Sequence, residues 1–70
     1  MQLTAVIMHA DEGGFVAMNP ETGTTTQGET IEAAIFNLRE ATAVYLEEFP
    51  QAVKGHPLVS MVSLPEPPRA

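Results

Sequence analysis

The stretch Gly28-Glu29-Thr30-Ile31-Glu32-Ala33-Ala34-Ile35-Phe36-Asn37-Leu38-Arg39-Glu40-Ala41-Thr42-Ala43-Val44-Tyr45-Leu46-Glu47-Glu48-Phe49-Pro50 decides the fold. Ile31, Ala34, Ile35, Leu38, Thr42, Tyr45, Leu46 and Phe49 recur within it at helical spacing and form one stripe. Thr30 suits the N-cap, because its hydroxyl can accept a bond from an orphan backbone N–H. Glu29 and Glu32 flank the positive end of the helix dipole, which favours them there. Pro50 predicts a stop by about Phe49, since the residue before a proline avoids the α region. The stripe is wide enough to cover a sheet, and the flanking sequence must supply that sheet.

Upstream, Leu3 to His9 alternates and is rich in strand formers, so it reads as a first strand. Asp11-Glu12-Gly13-Gly14 follows, with glycines that supply the positive φ of a hairpin turn. Phe15 to Met18 reads as a second strand. Asn19-Pro20-Glu21-Thr22-Gly23 breaks the pattern, because proline cannot donate to a ladder and glycine permits a turn. Thr24 to Gln27 is short and β-branched, as an edge strand would be. Downstream, Gln51 to Pro57 is a connector and Leu58 to Leu64 reads as a fourth strand. The proline-rich run 65–70 cannot continue a sheet and is expected to be an extended tail. The expected architecture is a single α+β domain over 1–64, β-β-β-α-β, with one helix on a small, mostly antiparallel sheet.

One helix covers one sheet face only. Leu3, Ala5 and Ile7 share one face of the first strand, and Thr4, Val6 and Met8 share the other. Leu58, Val62 and Leu64 alternate likewise with Val59 and Met61. A second apolar face on so small a protein points to an association surface, and Met8, Met18 and Met61 suit one because methionine adapts to its neighbours. Phe36 lies roughly 140° round the helix from Ile31 at about 100° per residue. That places it on the outer face with Glu40, Ala43 and Glu47, a candidate contact for another chain.

Composition narrows the function. Seventy residues without cysteine have neither disulfides nor thiolate metal sites to offset a small core. Self-association is the remaining common remedy, so a homo-oligomer, dimer or tetramer, is expected. The net charge of −6 comes from nine acidic and three basic residues. Arg39, Lys54 and Arg69 are too few and too dispersed to neutralise a phosphate backbone, so direct nucleic-acid binding is not expected. An acidic domain suits a basic protein partner through complementary potential, although acidity also serves solubility alone. No apolar run reaches the length of a membrane span, no basic leader precedes an apolar stretch, and the reading is a cytoplasmic protein.

Catalytic chemistry finds little support. His9 and His56 show no metalloenzyme spacing, and a zinc site would have to borrow carboxylates. Ser60 and Ser63 lack the context of an activated nucleophile. Gly13-Gly14 is a turn signal rather than a phosphate cradle. Asp11 and Glu12 form a carboxylate pair in a turn where solvation suffices. A hydrolase using Asp11 or His9 with a metal is the enzyme-class alternative; neither a cofactor nor a metal is expected.

The order of these pieces resembles the HicB-type antitoxin family. Leu3-Thr4-Ala5-Val6-Ile7 followed by Asp11-Glu12-Gly13-Gly14-Phe15-Val16-Ala17 is similar to that family's first hairpin. Pro20-Glu21 matches its Pro-Glu. Gln27-Gly28-Glu29-Thr30-Ile31-Glu32-Ala33-Ala34-Ile35 looks like its helix start, and Asn37-Leu38-Arg39-Glu40-Ala41 and Tyr45-Leu46-Glu47-Glu48 follow at the spacing of the family. The resemblance covers residues 3–48. It implies a partial RNase-H-like fold without nuclease chemistry, and a partner: a HicA-type toxin, a small basic RNA-cleaving protein whose active surface the antitoxin covers. On that reading Asp11, Glu12, Glu40, Glu47 and Glu48 are the candidate partners for toxin Lys or Arg, with Phe36 as an apolar anchor. The alternative is a stand-alone homo-oligomeric domain without a toxin.

Three features depart from the family. The segment after Pro20-Glu21 is shorter, Phe36 stands where a small or polar residue is usual, and the proline-rich run replaces a DNA-binding module. Operator binding is therefore not expected of these residues.

Overall fold

The computed structural model describes residues 1–67. It contains β1 (Val6–His9), β2 (Phe15–Asn19), β3 (Thr24–Gly28) and α1 (Ile31–Glu48). The strands form one antiparallel sheet in the order β1-β2-β3. This is the α+β arrangement read from the sequence.

Two turns set the sheet register. In the first, the Gly13 N–H donates to Ala10 C=O at 3.2 Å and the Ala10 N–H donates to Gly14 C=O at 3.1 Å. Gly13 and Gly14 have φ of 100° and 78°, a region that other residues enter at a cost. The resulting register pairs Ile7 with Ala17 and Met8 with Val16. In the second turn the Gly23 N–H reaches Asn19 C=O at 2.7 Å, and Ala17 comes to lie opposite Thr26.

Because side chains alternate across a strand, Ile7, Ala17 and Thr26 share the face that meets the helix. Ala17, Ala34 and Leu38 are buried there, with Ile7 and Phe15 packed against them. The Thr26 hydroxyl donates to Ala34 C=O at 3.0 Å, and Asn37 Nδ2 donates to Gln27 C=O at 2.7 Å. These two bonds fasten the helix over β2 and β3. Thr30 caps the helix as expected, its hydroxyl accepting from the Ala33 N–H at 3.0 Å. The helix ends at Glu48, and Phe49 closes it with a bond from its N–H to Tyr45 C=O.

The fourth strand read over Leu58 to Leu64 is not formed. That segment has no regular structure and lies exposed, with Leu58 at 99% and Met61 at 95% of full accessibility. Alternating apolar residues suit a strand, but a strand exists only where an edge pairs with it, and here the segment pairs with none. Of the tail read over 65–70, Pro65, Glu66 and Pro67 have no regular structure and are exposed, and Pro68, Arg69 and Ala70 lie outside the described residues.

Candidate functional site

The helix stripe is only half used. Ala34 and Leu38 in its first turns pack into the core, whereas its second half, apart from Thr42, keeps exposed or half-buried side chains. Tyr45 and Phe49 are both exposed and pack on each other, ring centroids 4.9 Å apart. Between this half of the helix and the residues leading into β1 runs an open apolar groove of about 420 Å³, lined by Leu3, Ala5, Ile35, Leu38, Thr42 and Leu46 among others. The Thr42 hydroxyl is buried at the groove without a hydrogen-bond partner, a state that is costly unless something supplies one.

A polar clasp borders the groove through Thr4 and Asn19. Both carboxylate oxygens of Glu21 accept from the Thr4 N–H, at 2.9 and 3.1 Å, and Oε2 also accepts from the Thr4 hydroxyl at 2.8 Å. Asn19 Nδ2 donates to Glu21 Oε1 and to Thr4 C=O, both at 2.7 Å. Asn19 Oδ1 accepts from the Thr22 N–H at 2.9 Å and the Thr22 hydroxyl at 2.6 Å. Asn19 is thus buried with its amide bonded on both sides, as a buried polar group must be. His56 Nδ1 completes the set, 2.7 Å from Glu21 Oε2, and carries the proton toward the ionised carboxylate.

Glu21 has no solvent-accessible side-chain surface. Desolvation pushes its carboxyl upward, but hydrogen bonds from His56 and Thr4 outweigh this and hold the pKa at about 2, below the ordinary 4.5. Among the described residues no three His, Asp or Glu side chains gather closely enough to hold a metal ion.

The acidic residues singled out in the sequence are all exposed, but they do not form one patch. Asp11 and Glu12 occupy the first hairpin turn, where Glu12 shares a shallow surface with Gly28 and Glu29 at the start of the helix. Phe36, Glu40 and Glu47 follow one another along the outer face of the helix, and Phe36 is 59% exposed. Glu48 ends the helix. None of these acids is ion-paired among the described residues.

Open apolar surface also lies on the far side of the sheet, where Val6 pairs with Met18 and Met8 with Val16. Met8 is 64% exposed, while Met18 is half-buried and Met61 lies on the unpaired segment. Sequence reading missed the clasp. Glu21 lies 17 residues from Thr4 and 35 from His56, separations at which no local pattern operates. The one available signal was a glutamate inside a turn followed much later by a histidine beside a proline.

The chain matches no protein-family model, no curated protein and no solved structure.

Proposed function

We propose that this chain is a non-catalytic, antitoxin-like domain that binds and neutralises a small, basic, RNA-cleaving toxin of HicA type in the cytoplasm. The observation that carries the reading is the outer face of α1, where exposed Phe36 precedes Glu40 and Glu47 and the acids have no ion-pair partner among the described residues. An aromatic beside unpaired acids is suited to a surface rich in Lys and Arg, since the ring supplies buried area and the charges steer the encounter. The net charge of −6 acts in the same direction. The order of sequence motifs shared with HicB-type antitoxins supports the nature of the partner.

No helix among the described residues is long and apolar enough to cross a membrane, which accords with the proposed compartment. Asp11 and Glu12 stand apart from the helix acids, so in this proposal they contact a second region of the toxin or contribute only long-range attraction.

The experiment is recovery of the tagged chain from the cells that make it. The proposal expects a small basic protein that cleaves RNA when freed and stops when the chain is restored. Recovery of the chain alone would favour the stand-alone homo-oligomeric domain, a reading supported by the apolar side chains left exposed on Leu58–Leu64 and on the far sheet face.

A further inference from the structure

We infer that Leu58–Leu64 is an exchanged strand, which pairs with the free edge of β1 in a second copy of this chain and fills that copy's groove.

Two unsatisfied surfaces in the molecule have complementary chemistry. One is the edge of β1, the outer strand of the order β1-β2-β3, with the apolar groove beside it. A free edge presents backbone N–H and C=O groups that an added strand would pair. The other is Leu58–Leu64 itself, an alternating apolar run that Pro57 and Pro65 bracket and that has no pairing of its own. Leu58, Val62 and Leu64 would enter the groove under the helix. Val59 and Met61 would then extend the far face, where Met8 is exposed and Val6 and Met18 are half-buried. Thr42 supplies an independent pointer, since its buried hydroxyl at the groove lacks the hydrogen-bond partner that an incoming strand would bring.

The clasp favours a second copy over the chain's own segment as the occupant. His56 is held on Glu21, which also holds Thr4 at the groove. The chain therefore leaves the body at a fixed point. Pro57 then fixes its own φ and keeps His56 out of the α region, which sets the exit direction. With that exit the segment runs out into solvent and leaves its own groove empty, and the Cα trace reaches 49 Å along its longest axis. Reciprocal exchange about a two-fold axis fills both grooves at once and leaves no open valence. The inference is independent of the toxin and stands or falls separately from it.

The test combines sedimentation velocity on the full chain with NMR on a mixture of isotope-labelled and unlabelled chains. The wild type is expected to sediment as a dimer, with intermolecular NOEs from Val62 and Leu64 methyls to Leu38 and Leu46. Val62→Glu, a change at a side chain exposed in the single chain, is expected to give a monomer with its helical circular dichroism intact. Met8→Glu on the far sheet face is expected to leave the dimer assembled. A monomeric wild type would overturn the inference, as would NOEs found only within one chain. So would a dimer that survives Val62→Glu or dissociates with Met8→Glu alone.

Discussion

Glu21 grips Thr4 with both carboxylate oxygens, accepting its backbone N–H at 2.9 and 3.1 Å and its hydroxyl at 2.8 Å. The contact joins the second turn to the residues entering β1 and, through His56, fixes where the chain after the helix leaves the body. Its strength depends on the carboxylate charge, which gives it a definite pH dependence. The folded carboxyl titrates at about 2, against an ordinary 4.5. Between these values the unfolded chain binds the proton more readily than the folded one. The contribution is therefore complete above about pH 4.5 and is lost as the pH falls toward 2. Denaturant unfolding of the wild type is expected to show falling stability across that window. Glu21→Gln is expected to be less stable at neutral pH and to show a flatter acid limb.

Gly28 lies where the helix crosses β3, and a Cβ there would overlap the backbone nitrogen of Ala34 and come within 2.7 Å of the carbonyl carbon of Ala33. Backbone cannot step aside as a flexible side chain can, so Gly28→Ala must push the helix off the sheet. The expected loss is about 3 kcal/mol, the upper part of the usual overpacking range, read as a drop in the urea midpoint.

Thr30→Ala removes the hydroxyl that accepts from the Ala33 N–H at 3.0 Å. The expected cost is about 1 kcal/mol, and Thr30→Ser is expected to recover most of it. Equal losses in the two variants would mean that the threonine methyl, rather than the cap, stabilises this end of the helix.

Much of this architecture is written in local pattern. The helix could be read because Thr30 and Pro50 bracket a periodic stripe, and the first hairpin because Gly13 and Gly14 provide positive φ between two apolar runs. Positions whose role depends on distant neighbours were not legible. Asn19 looks like a turn residue and is in fact a buried hub bonded to Thr4, Glu21 and Thr22. Gly28 looks like a helix preface, but its value lies in the absence of a side chain against Ala34. Leu58–Leu64 has the alternation of a strand, yet pattern alone cannot say whether an edge is there to receive it. For the proposed contacts, sequence periodicity correctly aligned Phe36 with Glu40 and Glu47. It carried no information on how far Asp11 and Glu12 would lie from them.

On the proposed interface, Phe36→Ala and the double change Glu40→Lys with Glu47→Lys act on side chains that are exposed in the folded chain. Their effect on unfolding free energy is expected to stay within about 0.5 kcal/mol. Their effect on affinity for the basic partner is expected to exceed about tenfold each, as truncating an interface anchor or reversing facing charges does. Calorimetric titration beside thermal unfolding separates the two quantities. Unchanged affinity in both variants would remove this helix face from the interface.

The most direct measurement of the central claim is RNA cleavage by the recovered basic partner, followed as purified chain is added. The account predicts that cleavage falls in proportion to added chain and ceases near equivalence, with the chain itself leaving RNA intact. Cleavage that continues undiminished in excess chain, or that the chain performs by itself, would contradict it.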